Sequence, residues 1–295
     1  MISILIPVYE ENCIHLVNDL REQAKKLLED FEILVFDDGS PTRREENRPL
    51  ACMREVVYHE LSSNVGRSAI RNLLANRAKG DKLLFVDCDS KVVRDDFLDK
   101  YLYEIDTADV LIGGTVYCSK SKVPKTCELH WKYGTKVECN KTGKKTDTFQ
   151  ANNFFIKKAV FEKVKFDERI KGYGHEDTLF GKELQKAGFA IRSIDNPVEH
   201  SGLKNFENFM ASTETAVQNM RAIMQNSEFS DLVGDIRLIK AYKKLEKFGL
   251  GGLYSEFFKM TKQSFLSLLR SKNPNLRLFD LYKLGIFCER DKARS

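Results

Sequence analysis

The chain opens on a short apolar run, Ile2 to Val8, that carries a proline near its end and predicts a buried strand. Apolar residues then recur at helical spacing, at Ile14, Leu16, Val17, Leu20, Ala24, Leu27 and Leu28. A second run, Glu32 to Phe36, stops abruptly at Asp37-Asp38-Gly39-Ser40-Pro41, a strong turn signal. Val56 to Tyr58 predicts a third strand, and Ala69, Leu73, Leu74 and Ala78 predict a helix starting near Gly66. A further strand, Leu83 to Val86, ends in Asp87-Cys88-Asp89.

Strands alternating with helices predict an α/β fold, a mostly parallel sheet with helices on both faces. Ligands of such sheets bind beyond the carboxyl ends of the strands. Three strands end here in Pro7-Val8-Tyr9-Glu10, Asp37-Asp38-Gly39-Ser40 and Asp87-Cys88-Asp89, so three polar clusters are expected along one edge. Asp109 to Val116 reads as one more strand. Residues Ser119 to Thr148 are polar and weakly periodic and read as a long excursion near the pocket. Order returns over Phe149 to Ile156, followed by a short helix from Ala159, a helix over Glu176 to Ala187 and a strand over Phe189 to Ile194. From Asn205 onward the pattern is helical, and Tyr254, Phe257, Phe258, Phe265, Leu268 and Leu269 outline an apolar face with Lys259, Lys262 and Arg270 nearby. The expected organisation is a catalytic domain over residues 1–204 and a helical extension over 205–295.

Charge sharpens that division. The 295 residues carry a formal net charge of +5, and the stretch from Asn205 holds 15 Lys and Arg against 10 Asp and Glu. The whole excess therefore lies in the last third, which reads either as an ordinary solvated helical face or as a surface turned to something anionic, such as a membrane. Because the main domain is neutral and its basic residues are spread out, nucleic acid is not an expected partner. The 7 cysteines include no C-x-x-C pair, which favours a reducing compartment over a disulfide framework. Neither a basic leader nor about 20 consecutive apolar residues is present, so the expectation is a cytoplasmic protein, at most peripheral at the inner face of the plasma membrane.

Several clusters could carry chemistry. Asp87 and Asp89, one residue apart at a strand end, suit an oxygen-rich Mg²⁺ or Mn²⁺ site, although Asp-x-Asp equally caps helices. Asp37 and Asp38 read either as a turn with an Asx cap or as carboxylates that accept from a nucleobase or ribose. Arg71, one turn into the helix after Gly66, reads as a surface arginine or as a group reaching phosphates or a base carbonyl. Gly172-Tyr173-Gly174-His175-Glu176-Asp177 is the most distinctive segment. Its acids could be dipole partners at a helix start, or one of them could be a general base, with Tyr173 as a stacking surface. His200, just after the last strand, reads as structural or as a further metal ligand beside Asp89. The amides of Phe149-Gln150-Ala151-Asn152-Asn153 suit sugar hydroxyls.

In order and spacing these segments resemble the family 2 glycosyltransferases of GT-A fold. The likeness runs from Ser3 to Glu10 through Asp37-Asp38-Gly39-Ser40, Asn64-x-Gly66-x-x-x-x-Arg71-Asn72, Asp87-x-Asp89, Gly172 to Asp177 and His200, about two-thirds of the chain. It implies inverting transfer from a nucleotide diphosphate sugar, such as a UDP-sugar, to a glycan acceptor with Mn²⁺ or Mg²⁺ bound. A role in bacterial cell-surface polysaccharide assembly follows as an expectation, with an acceptor that is lipid-linked in one form of it. By resemblance, Pro7, Tyr9, Glu10, Asp37, Asp38, Arg71 and Asp87 bind the donor, although position 10 is Glu where many relatives carry Asn. Asp87, Asp89 and His200 hold the metal. Tyr173, Gly174, Glu176, Asn152 and Asn153 meet the acceptor, and Asp177 is the base, with Glu176 beside it, as in the subgroup with a Gly-Tyr/Trp-Gly-x-Glu-Asp motif. The polar excursion would close over bound donor and exclude water. A degenerate scaffold is the competing reading. A nucleotidyltransferase fits less well, since residues 8–12 after the first strand are acidic and free of glycine.

Overall fold

The structure, a computed structural model, describes residues 1–139 and 149–289. The stretch 140–148 of the expected excursion and residues 290–295 lie outside the described residues. In chain order the strands are β1 (Ile2–Val8), β2 (Phe31–Asp37), β3 (Val56–Glu60), β4 (Lys82–Val86), β5 (Ser90–Val92), β6 (Val110–Ile112), β7 (Thr115–Val116), β8 (Asn153–Lys157), β9 (Ile191–Ser193) and β10 (Val198–His200). The helices are α1 (Ile14–Ala24), α2 (Arg44–Asn47), α3 (Arg67–Arg77), α4 (Phe97–Glu104), α5 (Glu128–Tyr133), α6 (Lys158–Phe161), α7 (Glu176–Lys186), α8 (Phe206–Gln225), α9 (Arg237–Lys247), α10 (Gly251–Leu269) and α11 (Leu276–Cys288).

The chain divides into two compact units. The first comprises residues 1–118, 138–171 and 176–202; the second comprises 119–137, 172–175 and 203–295. A seven-stranded sheet in the order β3-β2-β1-β4-β8-β6-β9 builds the first, with β3, β2, β1 and β4 parallel and β8 antiparallel to both of its neighbours. Period-two alternation sorts the side chains of each strand to two cores. Ile2, Ile4, Ile6 and Val8 of β1 pack with Leu16, Val17 and Leu20 of α1 on one face, while Leu5 joins Ile70 and Leu74 of α3 and Phe180 and Leu184 of α7 on the other. Register pairs Val8 with Asp37, and β1 lies between β2 and β4. The clusters after Val8, at Asp37 and after Val86 therefore share one sheet edge.

The expected strand Asp109 to Val116 proves to be two. It breaks at Gly113-Gly114, and its halves join different sheets: β6 stays in the main sheet, while β7 pairs with β10 in a three-stranded sheet ordered β5-β10-β7. Gly113 leaves no room for a Cβ, which would strike the Tyr101 hydroxyl, the Asn153 amide and the Asn196 carbonyl, and Gly114 has φ of 90°. Strand pattern cannot reveal this, because apolar residues continue on both sides of the break. The pieces β5 and β10 also lack a period of their own, being three residues each. His200 is thus the last residue of a strand rather than a residue beyond the sheet.

The second unit is helical: α10 and α11 pack through Phe258, Phe265 and Tyr282, and Phe279 of α11 stacks on Phe209 of α8. The described part of the polar excursion is not irregular throughout, since α5 occupies Glu128–Tyr133 and stacks His130 on Phe209 of α8 at 4.5 Å.

The crowding at Gly113 makes a stability prediction. Gly113→Ala should lower the midpoint of urea unfolding by an amount equivalent to about 1–3 kcal/mol. An unchanged midpoint would show that the β6–β7 break is not sterically set.

Candidate active site

The sheet edge is organised first by hydrogen bonds inside the chain. Asp37 is fully buried, and its Oδ1 accepts from the Ser40 N–H at 2.6 Å; its Oδ2 is buried without a hydrogen-bond partner. Asp38 accepts from the backbone N–H groups of Val65 (2.7 Å) and Gly66 (3.0 Å), which fixes the loop entering α3. Burial pushes the Asp38 carboxyl above its ordinary range, against those two amides. Glu10, at φ 54°, accepts from the Thr42 N–H (2.8 Å) and hydroxyl (2.5 Å), and its own N–H donates to Ser40 Oγ (2.8 Å). The Thr42 contacts hold the Glu10 carboxyl below the usual range. Pro7 and half-exposed Tyr9 stand at the end of β1.

Arg71 of α3 is the centre of the constellation. Its side chain is only 3% exposed, and its NH2 donates to Asp87 Oδ1 at 2.7 Å. NH1 lies 3.7 Å from Glu176 Oε1, and Arg67 reaches the same oxygen at 3.7 Å. The guanidinium sits 5.5 Å above the Phe166 ring, which stacks on Phe180 at 4.1 Å. Nothing accepts from the buried Nε. Arg71 is therefore no surface arginine; it is a buried cation joining the acid after β4 to the acid that opens α7.

Asp177, half-buried beside Glu176, is pushed up to about 7. Loss of water is the main cause and the neighbouring Glu176 charge the next, opposed by the Thr178 N–H at 2.6 Å and by Arg71. A carboxyl of that kind can take up a proton near neutral pH.

Asp89 and His200 also meet, with His200 Nδ1 3.5 Å from Asp89 Oδ2. Burial disfavours the imidazolium, but Asp89, aided by Glu138 and Asp87, outweighs it and raises the His200 pKa. Among the described residues no three His, Cys, Asp or Glu side chains form a ready cage for an ion. The carboxylate–imidazole pair nonetheless fits a divalent cation of the kind that keeps few protein ligands and takes its other oxygens from substrate phosphates. Space for the pair depends on Gly202, where any Cβ would run into the Asp89 carboxylate. Ser201 adds its N–H (2.8 Å) and hydroxyl (2.7 Å) to the Asp89 carbonyl. Asp87, with Oδ1 on Arg71, faces the arginine as well as the strand end.

Two of the expected acceptor contacts behave differently. Asn153 is fully buried and spends its amide inside the fold, donating to the carbonyls of Gly114 (3.1 Å) and Asn196 (2.8 Å) and accepting from Tyr101 (2.7 Å). Contrary to the expected acceptor contact, this fully buried amide is occupied within the fold. The Asn152 side-chain amide donates to the Thr115 hydroxyl (2.8 Å), while the Asn152 backbone carbonyl accepts the Asp87 N–H (2.9 Å) and so helps to place that acid.

Tyr173 and Gly174 belong to the second unit. There Asn219 of α8 donates to both of their carbonyls (3.1 and 3.3 Å), Gly174 at φ 100° lies hard against Ala216, and Lys204 sits 4.0 Å above the Tyr173 ring. Sequence reading named Tyr173 but not its supports. It quoted Asn72 beside Arg71 without giving it a role; the Asn72 amide binds the Phe166 backbone on both sides (2.9 and 3.1 Å) and holds the ring under Arg71. An asparagine directly after the candidate arginine was the available signal.

Comparisons with known proteins bear on this arrangement. The model of the family described as Glycosyl transferase family 2 matches residues 3–165. The chain is similar to the chondroitin synthase of Escherichia coli, 27% identical over 236 residues, which take in 68% of this chain and 34% of that protein. It thus spans about a third of the synthase's length. It is also similar to an uncharacterized glycosyltransferase of Haemophilus influenzae, 25% identical over 186 residues, 61% of this chain and 70% of that one. In fold it is similar to S. aureus TarS 1–349, with a TM-score of 0.54 and 18% identity over 96% of this chain and 90% of that one; TarS is also solved in complex with UDP-GlcNAc. A second likeness is to the mannosyltransferase PcManGT of Pyrobaculum calidifontis, in complex with GDP-Man and Mn²⁺, with a TM-score of 0.61 and 14% identity over 97% and 85% of the two chains. The architecture is the GT-A type, a mixed sheet flanked by helices.

The Glu176–Asp177 geometry sets a titration. The Asp177 carboxyl should ionise with a midpoint near 7, and Glu176→Gln, which removes the adjacent negative charge, should move it down. Because the folded value lies above the unfolded 3.8, this group lowers stability as pH rises from about 4 through 7. Carboxyl-carbon NMR reads the midpoint directly; a wild-type midpoint near 4, or none of the downward shift, contradicts the arrangement.

Proposed function

Since the chain belongs to glycosyl transferase family 2, we propose that it transfers a sugar, with inversion, from a nucleotide diphosphate sugar to a hydroxyl of an acceptor glycan. One observation carries the reading: the buried Arg71 joins Asp87, at the carboxyl end of β4, to Glu176, whose neighbour Asp177 has the raised pKa a base at neutral pH needs. In the reading, the acceptor oxygen attacks the anomeric carbon while its bond to the diphosphate oxygen breaks. Asp177 takes the hydroxyl proton, and the bonding electrons leave with the diphosphate. A single displacement of this kind inverts the anomeric centre.

Asp89 and His200 would hold Mn²⁺ or Mg²⁺, which when bound offsets the negative charge that gathers on the leaving diphosphate. Arg71 and Arg67 hold Glu176 in place beside the base. Asp38 shapes the nucleoside pocket by fixing the Val65–Gly66 turn, and Pro7, Tyr9 and Asp87 face the nucleotide. Asp37 and Glu10 act through the loop they order, Ser40 to Arg43. Tyr173 and Gly174 serve the acceptor, in keeping with the Gly-Tyr-Gly-x-Glu-Asp subgroup. TarS with UDP-GlcNAc and PcManGT with GDP-Man and Mn²⁺ support a nucleotide-sugar donor and a divalent metal, and a UDP-sugar is the donor we favour. The likeness to a chondroitin synthase supports a glycan acceptor, and assembly of a bacterial cell-surface polysaccharide is the role we favour. No described helix is long and apolar enough to cross a membrane. The reading takes the enzyme to be cytoplasmic, with at most a peripheral contact at the inner face of the plasma membrane. Residues 1–204 are the catalytic domain in this reading and 205–295 the extension.

The test is donor hydrolysis and transfer across UDP-, GDP- and dTDP-sugars with and without Mn²⁺. Wild type should use one donor only with metal. Asp177→Asn should bind that donor yet turn over about 10²–10⁴-fold more slowly, and Asp89→Ala should lose metal-dependent turnover. A chain that binds donor but never turns it over is the scaffold, and full activity in Asp177→Asn removes the base assignment.

A further inference from the structure

The apolar positions of α10 do not form one face. Phe258, Phe265 and Leu269 are buried against α11, while Leu253, Phe257, Met260 and Leu268 stand at 70, 48, 81 and 60% exposure. Spacings of four, three and eight residues put those four on a single outward stripe. The stripe is extended upstream by Phe248, 63% exposed, in the turn between α9 and α10. A helix gains nothing by holding four large apolar side chains in water, with a fifth in the turn before it.

Exposed lysines precede the stripe along the chain, with one exposed acid, Glu246, among them. Lys240, Lys243, Lys244 and Lys247 lie exposed along α9, the last of them directly before Phe248. Within α10 the one acid close to the stripe, Glu256, is paired with Lys259 at 2.7 Å. Apolar side chains adjoining a row of lysines match the two layers of an anionic bilayer, headgroups outside and acyl chains within. A second copy of the chain is a poorer match, because a two-fold contact through the stripe would bring the lysine rows of both copies together.

We propose that the α9–α10 face is a docking surface for an anionic phospholipid membrane, with Phe248, Leu253, Phe257, Met260 and Leu268 entering the interface and the α9 lysines meeting the headgroups. The face belongs to the helical unit and does not rest on the transferase reading. Its consequence for an enzyme is that acceptors anchored in the same membrane are met in two dimensions.

The experiment is flotation of the full chain with phosphatidylcholine vesicles, with and without about one-third phosphatidylglycerol. Wild type should bind the anionic vesicles, release from them in high salt, and ignore the neutral ones. Lys243→Glu/Lys244→Glu/Lys247→Glu should weaken binding at least about 100-fold, from roughly fivefold or more per lysine. Phe257→Ser/Met260→Ser should weaken it at least about 10-fold. Both variants change exposed residues and should keep the wild-type circular dichroism. Absence of wild-type binding, equal binding to neutral vesicles, or binding that neither variant weakens overturns the proposal. So does light scattering that finds a wild-type dimer lost in Phe257→Ser/Met260→Ser, which would assign the stripe to a second copy.

Discussion

The first unit turns on a guanidinium that has almost no access to water. Arg71 is held between Asp87 and Glu176 above the Phe166 ring, with 3% of its side chain exposed. A buried cation is tolerated only when paired, and removing one partner of such a pair typically costs about 3–5 kcal/mol. The pairing therefore constrains the polypeptide at three separated points: the start of α3, the turn after β4 and the first turn of α7. Asn72 and Phe166 complete the seat from beneath. What results is one rigid link between the edge where a nucleotide would lie and the carboxyl pair where a proton would be taken.

The rest of the sheet edge serves the same placement by different means. Asp38 and Glu10 give their oxygens to backbone amides and a hydroxyl of neighbouring loops, which orders the edge. The break at Gly113-Gly114 lets β7 leave the main sheet, and β7 then pairs with β10, which carries His200 toward Asp89. A glycine pair in a strand and a glycine beside a carboxylate thus decide whether an imidazole and a carboxylate come within 3.5 Å.

Most of the α/β framework was legible because it follows from local pattern. The parallel strands β1, β2 and β4 are apolar runs ended by acid-rich turns, and the site carboxylates Asp87, Asp89, Glu176 and Asp177 are legible as motifs. The supports were not. Asn153 looks like a sugar-binding amide in sequence, and only the approach of Tyr101, Gly114 and Asn196 reveals that it is a buried strut. Short strands such as β5 and β10 have too few residues to show alternation, and their pairing is long-range. The apolar residues of α10 likewise read as one face until burial separates Phe258 and Phe265 from Phe257 and Leu268.

If Arg71 couples the edge where a nucleotide would lie to the Asp177 carboxyl, the pH dependence of turnover in Arg71→Gln, measured with metal–nucleotide affinity on the same protein, must show it. Loss of the positive charge should weaken nucleotide binding through Asp87 and move the acidic limb of the rate profile upward, since Arg71 lowers the Asp177 pKa. Weakened nucleotide binding with the limb unmoved would show that the two halves are independent and would contradict the account.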